Sequence, residues 1–419
     1  MSKRRYNSKE FKNVAWETLP ERIQGSRVVF AVDVAKEDFV AMLMDEHLQT
    51  VERFKWRHPQ DTAQVIGRIQ VLGQQRSVEA VMEPTGTYGD ALAWWLRQAG
   101  IALFRAAPKR VHDAAEVYDG VPSLHDAKAA YLIGRLHLDG GTQPWLAPSD
   151  RRRTLQALTT RLELCKARYQ AGLNRLEAQL SRYWPESLQI LALNTVSLHE
   201  LIAHYGDPGA VRDDRAGAQA LLQHIGRALL KEEKITALLN SAEHTIGVPC
   251  LEPERALLQW LAGDIRQTYQ QLRAAERDIA AQVACTAEVE AIGAVVGKTT
   301  AAVLSATMDS PQHYPNSERY LKAMGLNLKE HSSGKHKGQL KITKRGPAVA
   351  RFYLYFAALR LIAHNPVVAD WYQHKTRRPG AIKNKTVIEL MRKLAKALWY
   401  VARGERFVPE QLFNQHLPV

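Results

Sequence analysis

The run Val28–Ala35, VVFAVDVA, constrains the fold more than any other segment. Apolar β-branched residues at that density favour a buried strand. The run carries a single acid, Asp33. An unpaired carboxylate inside an apolar strand is costly, so Asp33 is expected to be paired or to face a metal. Two shorter strand candidates follow, Asp38–Asp45 and Thr50–His58, then a helix over about 59–75. Ser77–Pro84, SVEAVMEP, reads as a second buried strand. Gly89–Gln98 is expected to be a helix, Ala102–Ala107 a strand, and Lys109–Val117 and Asp126–Leu138 helices.

Three strands able to pair antiparallel, followed by alternating helix and strand, is the order of an RNase H-like (RuvC-like) α/β domain. Periodicity alone supports only α/β. Residues 1–26 read as a mobile basic arm and 27–148 as the α/β domain. From about Asp150 the pattern changes. Leu155, Leu158, Leu162, Cys165, Tyr169, Leu173, Leu176, Leu180 and Tyr183 recur at spacings of three and four, and Pro185 ends the stripe. A second stripe runs through Leu258, Leu261, Ile265, Leu272 and Ile279. Two such helices form an antiparallel pair, a dimerising coiled coil or an ordinary bundle core. Residues 149–287 are therefore expected to be a long helical, coiled-coil-like region, and 288–419 a mainly helical, basic one.

The charge supports that last division. The chain of 419 residues carries +14 at neutral pH. Residues 320–419 hold 19 Lys plus Arg and 5 Asp plus Glu, while the preceding residues balance at 38 of each. A surplus confined to one region points to an anionic partner, most commonly nucleic acid. Three isolated cysteines, Cys165, Cys250 and Cys285, build neither a disulfide framework nor a Cys-rich zinc site. No run of about 18 apolar residues or secretory leader is evident, so a cytoplasmic protein without a membrane span is expected.

The acids form the first candidate constellation. Asp33 lies within one strand. Glu83 ends another, where Pro84 and Gly86 break the chain, and Asp126 opens a helix. Carboxylates from two strands and one helix suit Mg²⁺, a hard cation with oxygen ligands. Two such ions would flank a phosphodiester and stabilise its attacking and leaving oxygens. The plainer alternatives are a helix cap for Asp126 and a surface acid for Glu83.

The second constellation is basic. Ser332, Ser333 and Gly334 precede Lys335, Lys337, Lys341, Lys344 and Arg345. A serine beside glycine could attack phosphorus while the cations offset the phosphate charge. A phosphate-gripping loop without chemistry fits the same residues. Upstream, IGAVVGKTTAAVLSA resembles the hairpin of a helix-hairpin-helix unit, with Gly293 and Gly297 turning the chain and Lys298 opening a helix. The glycine spacing is too short for a nucleotide-binding G-x-x-x-x-G-K loop. Arg392, Lys393 and Lys396 fall toward one side of a helix, near aromatics that suit either nucleic-acid contact or a core.

VDVAK, EPTGTYGDAL and PKRVHDAAEVYDGVPSLHDAKAAYLI resemble the DEDD-type transposases of the IS110 group of insertion sequences. IGAVVGKTTAAVLSA, MGLNLKEHSSGKHKGQLKITKRG and MRKLAKALW resemble that group's second characteristic domain. The resemblance covers about 27–140 and 288–404. It implies a RuvC-like nuclease core using Mg²⁺, with Asp33 and Glu83 as the first two acids and Asp126 as the last. Ser123 stands at the third acid position, and Asp119 is the candidate substitute. The resemblance further implies a serine that becomes covalently linked to DNA. Ser333 matches best by motif position, with Ser332 as the alternative. It also implies a bridge RNA pairing with donor and target double-stranded DNA, and a dimer-to-tetramer assembly.

The expected function is therefore RNA-guided strand exchange. The competing readings are a RuvC-like junction nuclease that uses water, and a non-catalytic nucleic-acid-binding protein.

Overall fold

The computed structural model describes residues 8–84, 86–119, 125–284, 286–330 and 340–413. The chain divides into two compact units, Met1–Pro148 and Ser149–Val419.

The first unit is built on strands β1 (Lys9–Glu10), β2 (Arg27–Val34), β3 (Asp38–Asp45), β4 (Thr50–Arg57), β5 (Ser77–Met82), β6 (Ala102–Arg105) and β7 (Gln143–Pro144). They form one sheet in the order β1-β4-β3-β2-β5-β6-β7. β3 runs antiparallel to β2 and β4, whereas β5 and β6 run parallel to β2. The helices are α1 (Leu19–Arg22), α2 (Thr62–Gly73), α3 (Asp90–Gln98), α4 (Pro108–Asp119) and α5 (Asp126–Leu138).

The period-two alternation of β2 separates two cores. Val28, Phe30, Val32 and Val34 pack with α2 and α3. Val29 and Ala31 pack with α4 and α5. Burial on both faces explains why this strand reads as an almost unbroken apolar run. Asp33 follows Val29 and Ala31 in the alternation, so it belongs to the α4–α5 face.

Residues 8–25 depart from the expected mobile arm. β1 adds to the sheet edge beside β4, and Phe11, Val14, Leu19 and Ile23 enter the core. The Trp16 ring lies 5.6 Å from Phe11 and 5.3 Å from Phe54. The segment is short and lacks a period, so its docking is a tertiary property.

Gly134 allows α5 to lie tightly against the sheet. A Cβ there would come within 2.6 Å of Met44 Sδ and 3.1 Å of the Ala31 side chain. Gly134→Val should therefore destabilise the first unit by about 3 kcal/mol, from overpacking plus displacement of α5. A fall in the urea midpoint at unchanged slope checks this; an unaltered midpoint would mean that α5 is not seated so closely.

The second unit begins with α6 (Asp150–Tyr183). Five shorter helices follow: α7 (Ser187–Ile190), α8 (Val196–Tyr205), α9 (Pro208–Asp213), α10 (Arg215–Gly226) and α11 (Glu232–Glu243). They lead to α12 (Glu252–Gln282). Arg161 pairs with Asp278, Arg168 with Asp264 and Arg182 with Glu254. As one helix ascends in number the other descends, so α6 and α12 are an antiparallel pair within the chain.

The C-terminal part contains α13 (Ala287–Val296), α14 (Lys298–Thr307), α15 (Ser317–Ala323), hairpin strands β8 (Leu328–Lys329) and β9 (Lys341–Ile342), α16 (Ala348–His364), α17 (Pro366–Thr376) and α18 (Lys383–Val401). Leu155 and Leu162 of α6, with Ala275 and Ile279 of α12, share a core with α14 and α16. Residues 149–419 thus form one compact unit, spanning both the expected helical and basic regions. Among the described residues, no single helix is long and apolar enough to cross a membrane.

Candidate active site

β2 and β5 pair in parallel with Arg27 opposite Ser77 and Val32 opposite Met82. One residue further, the same register brings Asp33 level with Glu83. The two acids therefore stand side by side at the carboxyl ends of adjacent parallel strands, where open α/β sheets place ligand sites. Alternation directs both toward the α4–α5 face: Val81 lies in that core and Met82 in the opposite one.

Asp126 reaches the same place as the first residue of α5. It does not cap the helix. The N-cap is His125, whose Nδ1 accepts the Lys128 backbone N–H at 3.3 Å. The capping alternative for Asp126 is thereby removed, and its carboxylate is exposed at the helix start.

Electrostatics tie the three acids together. Burial pushes the Asp33 carboxyl up to about 7 from an ordinary 3.8, and the nearby charges of Asp126 and Glu83 add to the rise. Burial also raises Glu83. Among the described residues, no cation is a cause of either shift.

Glu79 provides a contrast on the same strand and face. Burial pushes it upward, but hydrogen bonds from His137 and Arg27 outweigh this and hold it below its ordinary value. Arg27 Nε donates to Glu79 at 2.7 Å, and His137 Nε2 lies 2.8 Å from it. Glu79 is thus a neutralised structural acid, whereas Asp33 and Glu83 form an uncompensated pair.

That uncompensated negative charge fits a hard divalent cation in its chemistry. Among the described residues, however, no three His, Cys, Asp or Glu side chains are gathered at metal-holding distances. Asp33 is in electrostatic reach of both Glu83 and Asp126, without the three being closed into a ligand set.

A stability effect follows with a definite sign. The folded Asp33 holds its proton up to about 7, above the ordinary 3.8 of an exposed aspartate, so its ionisation opposes folding once pH exceeds the lower value. In metal-free protein at pH 8, Asp33→Asn should raise the thermal midpoint by roughly 3–6 °C, allowing for partial solvent screening. The gain should shrink toward pH 4 and vanish below about pH 3, where Asp33 is protonated in both states. An equal gain at both pH values would refute the charge-based explanation.

The remaining candidates are placed as follows. Asp119 is the last residue of α4, and its side chain lies outside the described residues, as does Ser123. Ser332, Ser333, Gly334, Lys335 and Lys337 also lie outside them. The chain on either side of that segment is described. Leu328 pairs with Ile342 and Lys329 with Lys341, so the segment departs from and returns to adjacent hairpin strands. Thr343 N donates to Asn327 O at 2.9 Å, and its hydroxyl bonds Asn327 Oδ1 at 2.6 Å, bracing the base. Lys341, Lys344 and Arg345 are exposed there, and Lys344 adopts a left-handed φ of 56°.

Lys298 is exposed at the first position of α14. Gly297, at φ +89°, alone makes the turn before it; Gly293 lies within α13, not in a Gly-x-x-x-Gly turn as the sequence suggested. Arg360, the last residue of the run RFYLYFAALR, comes close to this turn. A Cβ on Gly297 would fall 2.7 Å from its guanidinium, so Arg360 lies against the turn that presents Lys298. Lys128, on the first turn of α5, is a further surprise: it is buried despite its charge.

Comparison with known families decides which chemistry this scaffold serves. Residues 30–185 match the DEDD transposase family model of the IS110 type, which spans all three acids. Residues 294–373 match the family described as transposase IS116/IS110/IS902, which spans the α14 turn and the serine-containing segment. The chain belongs to the IS110-type transposases. It is a transposase enzyme, acting on DNA by cleavage and rejoining. No curated protein matches the chain. The boundary of the first matched region in this transposase extends beyond the α/β unit into α6, ending two residues past Tyr183.

Proposed function

We propose that this IS110-type transposase cuts, exchanges and rejoins the strands of an insertion sequence through a divalent-metal acid site and a serine nucleophile, with a non-coding bridge RNA selecting donor and target DNA. The observation that carries the metal half is the β2–β5 register, which sets Asp33 and Glu83 level at the strand ends beside Asp126. The order β4-β3-β2-β5-β6, with β3 antiparallel, supports an RNase H-like reading of this unit.

Asp33, Glu83 and Asp126 would hold Mg²⁺, with Asp119 as the candidate for the remaining position. The bound cation would stabilise charge developing on the scissile phosphate. Asp33 must then be ionised, and a nearby cation lowers its proton affinity from the raised value it has alone. Ser333 would attack phosphorus, forming a serine–phosphate ester as the sugar oxygen departs with a proton. Ser332 is the neighbouring alternative. Lys335, Lys337, Lys341, Lys344 and Arg345 would hold the strand by its phosphates, and Lys298 would grip the backbone from the α14 turn.

The same proposal includes a homo-oligomer, dimer to tetramer, working in the cytoplasm on nucleoid DNA. RNA guidance is tested by sequencing the RNA that co-purifies with the full-length protein. A discrete species encoded beside the gene is expected; random fragments alone would overturn guidance.

A further inference from the structure

One cleft in the second unit takes no part in the acid site or the serine loop. It has a volume of about 480 Å³ and lies between α18 and the chain following it. Arg392, Lys393 and Lys396 of α18 line one side, and Arg406 and Phe407 the other, with Tyr400 between them. Glu389 and Glu405 also face it. Glu389 is already paired with Lys375 at 3.2 Å and Lys396 with Glu318, which leaves Arg392, Lys393 and Arg406 facing Glu405.

The cleft is braced. Lys393 Nζ donates to Leu412 O at 2.8 Å, Arg392 Nε donates to Leu326 O at 2.9 Å, and Lys396 pairs with Glu318. Burial holds the Lys393 ammonium below its ordinary range; Glu389 opposes this, while Lys375, Lys396 and Arg392 push it further down. An anion in the cleft would relieve that crowding of positive charge. Tyr400 is 43% exposed, with its ring set edge-on to Trp399 at 4.9 Å. It therefore offers a supported aromatic face.

We propose that this cleft receives a single unpaired nucleotide, its base laid on Tyr400 and its phosphate held by Arg406. The volume falls within the roughly 300–1,000 Å³ of small-ligand sites. That is the size of space one extruded nucleotide would fill. Cations beside a stacking ring are the recurring means of holding unpaired strands without reading their sequence. DNA and RNA share this chemistry, and the site rests on the nucleic-acid binding of the transposase while adding a contact separate from strand cleavage.

The test uses the full-length protein with fluorescein-labelled oligo(dT), oligo(U) and a closed duplex hairpin. The double variant Tyr400→Leu, Arg406→Gln should bind at least one single strand about tenfold more weakly, with duplex affinity within about twofold. Loss on the oligo(dT) arm assigns a DNA strand, and loss on the oligo(U) arm an RNA strand. Unchanged single-strand affinity, or an equal loss for the duplex, overturns the site. Retained duplex binding with unchanged single-strand binding refutes the cleft while leaving nucleic-acid binding intact. If the double variant misfolds, photocrosslinking of the unmodified protein to 4-thio-substituted strands decides: a crosslink on the Tyr400 peptide is expected, and crosslinks only elsewhere refute the assignment.

Discussion

Asp33→Asn combined with Glu83→Gln should lower DNA strand cleavage by at least about 10³-fold while nucleic-acid affinity stays within a few-fold. Both substitutions keep the shape of the side chain and remove its charge. The two acids are level on adjacent parallel strands and share one face of the sheet. Among the described residues no cation lowers either of them, unlike Glu79 four residues upstream of Glu83, which Arg27 and His137 hold low. Their removal takes away negative charge that packing does not require, so the fold should persist and metal-free stability should rise. Cleavage assays with magnesium and circular dichroism on the same samples check both halves. Undiminished cleavage in the folded variant would show that these acids do not hold the catalytic metal.

Ser333→Ala should abolish strand exchange, again by at least about 10³-fold, with Ser332→Ala retaining most of it. A covalent route through serine conserves the energy of each broken phosphodiester for rejoining, so no substitute for the hydroxyl is available at that step. The side-by-side hairpin strands β8 and β9, braced by Thr343 and Asn327, fix both ends of the segment that carries the two serines. Joined donor–target product, measured by amplification across the junction, separates the variants. Equal loss in both would shift the role from one hydroxyl to the loop as a whole. Loss confined to Ser332→Ala would reverse the assignment.

Much of the candidate acid site is legible in the sequence because each acid is anomalous locally. Asp33 interrupts an apolar strand, Glu83 precedes a Pro-Gly break, and Asp126 begins a helix whose limits, Asp126–Leu138, were read directly from the sequence. What local pattern does not contain is register. Only the pairing of Val32 with Met82 makes Asp33 and Glu83 neighbours. His125 caps α5 in place of Asp126, which the sequence does not signal because imidazole is not among the usual capping side chains. Gly293 and Gly297 look like one turn in the sequence, yet Gly293 lies within α13, where a Cβ would make only ordinary contact with Ala301 at 3.7 Å. Arg360 beside Gly297 is a contact between segments distant in sequence. Residues 8–25 lacked any period, so nothing in them announced that Phe11 and Leu19 complete the core.

The central claim is that an acid site and a serine act together on one phosphodiester. The most direct measurement incubates the unmodified protein and its co-purified RNA with nicked suicide DNA and magnesium, then denatures the mixture and maps any adduct by mass spectrometry. A DNA-linked peptide carrying the bond on Ser333, absent from the Asp33→Asn variant, is the expected result. Cleaved DNA with free ends and no protein-linked species would contradict the claim, and would assign the transposase's cutting step to water.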